Sequence, residues 1–357
     1  MMNLSTFKFL YACSVLVLFY PFVVTPISQY KIVNHTFPAV ITFGDSILDT
    51  GNNNYVTTFM KANFKPYGRD FIGAKSTGRF CNGKIPSDYF AEILDLKETL
   101  PPYLDPTLKI EDLLTGVCFA SAGSGYDPIT MSLSLEDQLN MFKEYIGKLK
   151  AAIGEERTTL LLAESMFIVS VGTNDISVTY FLTPFRKHEY DIEGYTSRMV
   201  NTSSNFLKRL HELGARRIGT IGLPPVGCVP MQRTIGGGKE RKCVESVNQA
   251  ARLYNSKLSS TITTLNKSLP HARLVYLENY LEFIELIQHH KHFGFEVAGT
   301  SCCGIANVEF GFLCNYLTLK VCPDASKYVF WDSYHPTERV YKILVSNIMI
   351  KNIHKFI

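Results

Sequence analysis

The sequence lacks the features that define several large classes of protein. Only 19% of its 357 residues are charged, and 36 Lys and Arg nearly balance 32 Asp and Glu. No extended basic tract is present, so a nucleic-acid partner is not expected. There is also no internal repeat and no Ser/Gly/Pro-rich linker that would divide the chain. Hydrophobic residues make up 46%, which is ample for a packed core and excludes a disordered chain.

Charge is almost absent from the first thirty residues. Lys8 is followed by no charged residue until Lys31, and Leu10–Tyr20 is a continuous apolar run. This pattern is typical of a secretory signal peptide, and the alternative is an uncleaved membrane anchor. Pro21 interrupts the run and leaves a helix too short to span a bilayer, so we expect residues 1–30 to be a signal peptide and no stable membrane insertion. No A-x-A pattern marks the cleavage point.

Cysteine is abundant for a chain in a reducing cytosol. Removing residues 1–30 deletes Lys8 and Cys13, which leaves eight of the nine cysteines and a net charge near +3. An even number of cysteines in a secreted chain favours disulfide bonds. The sequons at Asn34, Asn201 and Asn266 are then candidate glycosylation sites, although such tripeptides also arise by chance.

The spacing of the cysteines suggests local pairing. The candidate groups are Cys228 with Cys243, Cys81 with Cys118, and Cys302, Cys303, Cys314 and Cys322 among themselves. The alternative for the last group is a zinc site completed by His289, His290 and His292. An oxidising compartment favours bridges over thiolate ligands, so we expect no metal and no cofactor.

Short apolar segments alternate with longer segments of helical periodicity. The strand candidates are β-branched or aromatic without polar alternation, as expected of strands buried on both faces: Ala39–Phe43, Gly116–Ala120, Met166–Val171, Arg217–Ile221 and Arg273–Leu277. The helix candidates are Ser132–Ile153, Tyr195–Leu213, Val244–Leu265, Leu281–Gln288 and a last helix after Pro336. This alternation predicts an α/β fold with a mostly parallel sheet covered by helices, and we expect residues 31–357 to form a single domain.

Ser46 follows the first strand candidate in the turn Gly44-Asp45-Ser46. In a parallel sheet the ligand site lies beyond the carboxyl ends of the strands, so this hydroxyl is a candidate nucleophile. A serine needs a neighbouring base to act as one. The ordinary alternative is that the segment is only a turn.

A base is available near the C-terminus, in Asp332-Ser333-Tyr334-His335-Pro336. Of the nine histidines, only His335 has an Asp three residues before it. An Asp on the same turn can orient the imidazole through one nitrogen and leave the other to accept the serine proton. The alternative is a helix-start turn with both side chains at the surface.

Two further strand candidates end in small or amide residues. Gly123 follows the second candidate and Asn174 the third. A backbone N–H at Gly123 and the carboxamide of Asn174 can both donate to a developing oxyanion. Each of these two residues alone is most often part of a turn. The Ser46 turn, Gly123, Asn174 and the Asp332–His335 segment in this order are a far more specific signal than any one of them.

The four blocks FGDSILDTGN, GVCFASAGSG, VGTND and DSYHP resemble, in order, those of the GDSL (SGNH) hydrolase family. The stretches RFCNGKIPSDYF, LPPVGCVP, CCG and YVFWDSYHPT resemble its plant extracellular-lipase branch, and the resemblance covers nearly all of Phe37–Ile350. It implies a flavodoxin-like three-layer fold. The nucleophile elbow G-x-S-x-G of ordinary α/β-hydrolases does not occur.

The resemblance also implies a role for each matching residue. Ser46 would be the nucleophile, His335 the base and Asp332 the residue that orients it. The oxyanion hole would consist of the backbone N–H groups of Ser46 and Gly123 and the amide of Asn174. Two positions depart from the family pattern: Ile47 stands in place of Leu, and Cys118 in place of an Asn that could help to hold the Gly123 loop.

These features predict a secreted, glycosylated serine esterase or lipase that hydrolyses small-molecule or lipid esters through an acyl-enzyme on Ser46. One alternative is an extracellular acyltransferase, because the same acyl-enzyme serves both reactions. The other is a non-catalytic binding protein on the hydrolase scaffold. Chain length of the acyl group and oligomeric state are open at this stage.

Overall fold

The computed structural model describes residues 37–129, 132–304, 314–315, 317–318 and 321–357. The predicted signal peptide, residues 1–30, and the Asn34 sequon lie outside the described residues. No helix within these ranges is long and apolar enough to cross a membrane.

Four parallel strands form the central sheet: β1 (Val40–Gly44), β2 (Met166–Ser170), β3 (Arg217–Ile221) and β4 (Arg273–Leu277), in that spatial order. Val40 lies opposite Met166, Met166 opposite Arg217, and Arg217 opposite Arg273, so the four strands end at one edge. All residues of β1 and β2 are buried, as their unbroken apolar runs predict.

The second strand candidate, Gly116–Ala120, is not a regular strand, and this prediction is wrong. The segment runs along the outer edge of β1, where Phe119 donates its backbone N–H to the Thr42 carbonyl, but it forms only isolated bridges. Its other neighbour is the Pro101–Pro102 segment, where the Pro101 carbonyl accepts the Cys118 N–H and Tyr103 donates to the Cys118 carbonyl, so on this side too the pairing is a single bridge. With this segment included, the spatial order is second, first, third, fourth and fifth, the flavodoxin-like order.

Ten α-helices surround the sheet in the described ranges. They are α1 (Pro86–Ile93), α2 (Ile110–Leu114), α3 (Leu135–Ile153), α4 (Glu155–Glu164), α5 (Phe185–Glu189), α6 (Ile192–Glu212), α7 (Pro230–Gly236), α8 (Glu245–Ser268), α9 (Tyr280–Gln288) and α10 (Glu338–Asn352). Two short parallel strands, β5 (Val297–Ser301) and β6 (Tyr328–Phe330), form a second sheet. All five predicted helices are present, with ends that differ by one to three residues at most termini.

The two faces of the central sheet pack against different helices. Ile41 and Phe43 of β1 point to a core formed with α3, α6 and α8, whereas Val40 points to a core formed with α1 and α10. Successive side chains of a strand point to opposite faces, so buried residues on both faces require helices on both. The protein therefore has the three-layer α/β fold that the resemblance implies.

Three disulfide bonds are present among the described cysteines: Cys228–Cys243, Cys302–Cys322 and Cys303–Cys314. The predicted pairing of Cys81 with Cys118 is wrong, because both are free thiols. The Cys118 thiol donates to the Leu48 carbonyl, and the Cys81 thiol contacts the Pro336 carbonyl instead. Burial raises the pKa of Cys118 to about 11, which keeps this thiol protonated.

Candidate active site

Ser46 lies just beyond the carboxyl end of β1, in a turn that begins at Gly44. The Gly44 φ of +148° is in a region that favours glycine, and an added Cβ would lie 2.0 Å from the Ser170 carbonyl oxygen of β2. The following residue, Asp45, donates its backbone N–H to that same carbonyl. The close approach of β1 and β2 thus places Ser46 beyond the carboxyl ends of these two strands, where the strand order reverses. This is the position expected for a ligand site.

Three side chains from the two ends of the chain form one hydrogen-bonded series. The Ser46 Oγ lies 2.8 Å from His335 Nε2, although 289 residues separate them. His335 Nδ1 lies 2.9 Å from both carboxylate oxygens of Asp332. Asp332 follows β6, and its Oδ1 also accepts the backbone N–H groups of Tyr334 and His335, which holds the turn between them. The structure therefore brings together the three residues that the sequence singled out.

Asp332 is buried but remains ionised. Burial alone raises the pKa of this carboxyl, because a charge is poorly solvated there. The interaction with His335, and the N–H groups donated by Tyr334 and His335, outweigh burial and hold the pKa below its usual value. A carboxylate in this state can keep the imidazole oriented and stabilise its protonated form.

Two aromatic residues complete the surroundings of His335, and sequence reasoning missed both roles. The Tyr67 hydroxyl donates to Asp332 Oδ2 at 2.8 Å, and Tyr67 itself is buried. The Phe80 ring packs on the imidazole with 5.0 Å between ring centroids. Phe80 lies in the quoted stretch RFCNGKIPSDYF, but Tyr67 is one of 19 tyrosines and no local pattern distinguishes it.

Asn174 lines the same cavity as Ser46, and its side chain is bonded to the loop that contains Gly123. The Asn174 amide Nδ2 donates to the Ser124 carbonyl at 2.9 Å, which ties the loop after β2 to the Gly123 loop. Gly123 has a φ of +88°, a conformation that side chains rarely adopt. Among the described residues, neither the Ser46 nor the Gly123 backbone N–H has a hydrogen-bond acceptor. Both N–H groups are thus available to a ligand oxygen.

Side chains from the Ser46 block hold the Gly123 loop in place. Asp49 Oδ2 accepts the Ala122 N–H, and the Asn53 amide donates to the Ala122 carbonyl. The Asn52 amide donates to the carbonyls of Cys118 and Ala120. The loop therefore keeps its anchors although Cys118 replaces the usual Asn.

Gln138, in the first turn of α3, joins the same arrangement. Its amide accepts the Gly44 N–H and donates to the Gly44 carbonyl and to the Ser124 hydroxyl. This buried side chain links β1 to the Gly123 loop across a helix. Gln138 lies within the predicted helix Ser132–Ile153, and no local pattern in the sequence distinguishes it.

A cavity of about 600 Å³ opens at these side chains. Ser46, Asn174, Asp332 and His335 line it, together with many more apolar than polar residues. The volume and the apolar lining with a few polar groups at one point are typical of small-molecule sites. Within the described ranges, no group of three or more His, Cys, Asp or Glu side chains is arranged to hold a metal ion. The cysteines of the zinc alternative form disulfides instead.

A parallel α/β sheet with a Ser–His–Asp series at its carboxyl edge is an arrangement of the serine hydrolases. A family model described as GDSL-like Lipase/Acylhydrolase matches residues 40–348. The chain is 50% identical over 324 residues to GDSL esterase/lipase EXL3 of Arabidopsis thaliana, covering 90% of this chain and 89% of that one. It is 48% identical over 332 residues to GDSL esterase/lipase At3g14820 of the same plant, covering 92% and 93%. The chain belongs to the GDSL-like lipase/acylhydrolase family, as the sequence blocks predicted, and is a carboxylic ester hydrolase.

A looser structural similarity is to a catalytic mutant of Axe2, an acetylxylan esterase from Geobacillus stearothermophilus. The identity is 13% and the TM-score 0.42, over 90% of this chain and 96% of that one. A similarity of this size carries no conclusion about the present chain.

Proposed function

We propose that this protein is a secreted serine esterase or lipase that hydrolyses carboxylic esters through an acyl-enzyme on Ser46. The observation that supports this mechanism is the 2.8 Å separation of Ser46 Oγ and His335 Nε2. A base at hydrogen-bond distance is what a serine hydroxyl needs to become a nucleophile.

In the first half of the reaction, Ser46 Oγ attacks the ester carbonyl while its proton passes to His335 Nε2. The imidazolium that forms is stabilised through Nδ1 by Asp332. The carbonyl oxygen, now negative, accepts hydrogen bonds from the N–H groups of Ser46 and Gly123 and from the Asn174 amide. That amide carries two hydrogens, so one can serve the oxyanion while the other donates to Ser124.

Collapse of this intermediate breaks the bond to the alcohol oxygen, which takes the proton from His335 and leaves. Water then attacks the acyl-enzyme, giving its proton to His335, and the carboxylic acid is released as Ser46 recovers the proton. Both halves of the reaction need a neutral imidazole, because only an unprotonated Nε2 can accept the proton of Ser46 or of water.

The Ser46→Ala variant tests this mechanism. We expect it to lose ester hydrolysis and labelling by a fluorophosphonate probe, because the nucleophilic oxygen is gone, while its thermal unfolding midpoint stays near that of the wild type. The matched control is Ser197→Ala, a serine on α6 outside the cavity. Retention of wild-type hydrolysis by Ser46→Ala would show that another residue carries the reaction.

Secretion and glycosylation are part of the proposal. Three disulfides among the described residues suit an oxidising compartment. Asn201 on α6 and Asn266 on α8 are both exposed. The amide of Asn266 exchanges two hydrogen bonds with the backbone of Leu274 and would have to leave them to carry a glycan. N-terminal sequencing and glycopeptide mapping of the secreted protein test these points.

A further inference from the structure

The cavity at Ser46 continues inward, beyond the residues that the proposed chemistry uses. Its inner part lies between α10 and the carboxyl ends of β3 and β4, and we call it the inner arm. Six apolar side chains line the inner arm: Ile221, Val229, Phe283, Leu344, Val345 and Ile348. Each of the six is less than a tenth exposed to solvent. The inner arm is therefore an enclosed apolar space in continuity with the Ser46 hydroxyl.

One face of α10 forms the long wall of the inner arm. Tyr341, Leu344, Val345 and Ile348 recur at the spacing that places side chains on a single helix face. Seven residues separate the first from the last, which corresponds to about 10 Å along the helix axis. The wall is thus long relative to a small acyl group such as acetate.

Polar atoms are scarce in the inner arm. The Asn279 amide is already bonded to the Gly222 carbonyl, at 3.5 Å. The Tyr341 hydroxyl is buried and has no hydrogen-bond partner among the described residues. A ligand with several hydroxyls would leave most of them unpaired here, at a large cost in binding free energy. A methylene chain has no groups that need a hydrogen bond, and its transfer from water into this apolar space has a favourable free energy.

The outer part of the same cavity has a different character. Phe59, Leu182 and Leu317 line it and are largely exposed, and Lys61 lies beside them. An ester bound at Ser46 has two substituents, one on the carbonyl carbon and one on the alcohol oxygen. The enclosed part suits a slender flexible chain, and the open part suits a bulkier group.

We propose that the inner arm is the acyl-chain site, and that the preferred substrates are esters of unbranched aliphatic acids longer than acetate. This inference rests on the proposed function, because it assumes that acyl transfer to Ser46 takes place at the mouth of the inner arm.

The first experiment compares wild-type kcat/KM on p-nitrophenyl esters from acetate to palmitate. Each methylene that enters the inner arm is expected to raise kcat/KM by about fourfold until the space is filled, after which the values fall. A parallel series keeps the acyl group as acetate and lengthens the alcohol. A rise along the alcohol series with a flat acyl series would overturn the proposal, because the occupant would then be the alcohol.

Variants within the inner arm give the second experiment. Val345→Phe fills part of the space, so we expect a shorter preferred chain and a fall of more than about tenfold in the palmitate-to-acetate ratio of kcat/KM. Leu344→Ala enlarges the space and should move the preference to longer esters. The matched control is Ile350→Phe, which adds a ring on the exposed side of the same helix and should leave the ratio unchanged.

The outcomes separate the two proposals. Absence of hydrolysis of every ester in both series by the wild type would contradict the proposed function, whereas the acyl-chain site is judged on how kcat/KM changes with chain length. An unchanged ratio in folded Val345→Phe would overturn the acyl-chain site. If that variant fails to fold, Leu344→Ala decides, because an unshifted optimum in an enlarged arm would also overturn it.

Discussion

At the scale of single residues, the carboxylate that orients the proposed base His335 is held by more hydrogen bonds than the one it forms with His335. Asp332 receives four hydrogen bonds or more, from two backbone N–H groups, from His335 and from the Tyr67 hydroxyl. Each of these contacts favours the ionised carboxyl, and the backbone contacts also fix its direction. The Tyr67 hydroxyl can be removed by a single substitution that leaves both the turn and the imidazole in place.

The Tyr67→Phe variant tests this contribution. Loss of the hydroxyl removes one of the two donors to Asp332 Oδ2 and leaves only His335 Nδ1 there, which raises the pKa of the carboxyl and strengthens its interaction with His335. The protonated imidazole is then held more strongly, so the acid limb of kcat/KM should move to higher pH and kcat should fall about tenfold. The pH profile of ester hydrolysis is the measurement.

Tyr103→Phe is the control for Tyr67→Phe. Tyr103 is also buried, and its hydroxyl has no partner among the described residues. It should keep the wild-type pH profile. An identical acid limb in Tyr67→Phe and the wild type would show that the Tyr67 hydroxyl is only structural.

Asn174→Ala tests the amide of the oxyanion hole. The donor acts on charge that develops in the transition state, so kcat should fall about a hundredfold or more with little change in KM. Single-substrate kinetics on a short ester measure both constants. The amide also donates to Ser124, so a thermal unfolding curve is needed beside the kinetics. A kcat within a few-fold of wild type would remove Asn174 from the oxyanion hole.

At the scale of elements, helices and buried strands with a clear period were predictable, and irregular segments were not. Ser134 and Asp137 form a capping box, so α3 begins after Ser134 as local chemistry requires. By contrast α4 was missed, because it follows α3 directly after Gly154 and has a weak apolar face. The Gly116–Ala120 segment has the apolar composition of a strand, yet it pairs with β1 and with Pro102 only through isolated bridges.

The Cys228–Cys243 bridge connects the turn before α7 to the start of α8. It closes a separation of 15 residues, for which loss of the bridge should lower the free energy of unfolding by about 3 kcal/mol. The double variant Cys228→Ala/Cys243→Ala, compared with wild type by urea denaturation, measures this value. A change below about 1 kcal/mol would indicate that the loop is held by other contacts.

A thiol assay checks the pairing pattern independently. In denaturant without reductant, an alkylating reagent should modify Cys81 and Cys118 but none of the six cysteines in the three bridges. In the native protein both thiols should be protected, because they are buried. Spacing along the chain suggested that these two would pair, but they face different carbonyl groups in the fold.

At the scale of the whole molecule, the loops around Ser46 depend on carboxyl groups that are entirely buried. Burial raises the pKa of Asp45 and of Asp175 to about 7 and that of Asp49 to about 6. Asp175 accepts the N–H groups of Tyr126 and Asp127, and so connects the Asn174 loop to the loop after Gly123. Protonation of these buried carboxyl groups near the active site therefore makes the free energy of unfolding depend on pH.

The direction of this pH dependence follows from the number of protons bound by the folded and the unfolded protein. Between about pH 4 and pH 7 the folded protein keeps a proton on Asp45 that the unfolded chain has lost, since the ordinary pKa is 3.8. Unfolding therefore releases a proton, and the free energy of unfolding should decrease as the pH rises through this range. A shift of this size corresponds to a few kcal/mol at most, about 1.4 kcal/mol for each pKa unit.

The Asp45→Asn variant tests whether Asp45 contributes to the pH dependence of the free energy of unfolding. Asp45 Oδ1 accepts the Ile47 N–H, which the amide oxygen can still accept, and Oδ2 has no hydrogen-bond partner among the described residues. We expect a shallower dependence of unfolding free energy on pH, measured by urea denaturation from pH 4 to pH 8. Asp95→Asn is the control, because Asp95 is exposed and its φ of 57° is one that Asn tolerates. An unchanged slope in Asp45→Asn would contradict the prediction.

The sequence by itself determined the fold class, the family and the candidate residues Ser46, Asp332 and His335. Each of these depends on local information: apolar runs of strand length, helical periodicity, and short blocks whose order along the chain is itself specific. Their roles in catalysis remain predictions for the experiments above.

Only the tertiary structure decided which distant groups meet. Tyr67 reaches Asp332 across 265 residues, Gln138 reaches Gly44 across 94, and the inner arm combines side chains of β3, of segments that follow β3 and β4, and of α10. Cys81 and Cys118 remain apart for the same reason. Such contacts arise when helices pack on the two faces of the sheet, and packing depends on the shape of the whole core and leaves no fixed spacing along the chain.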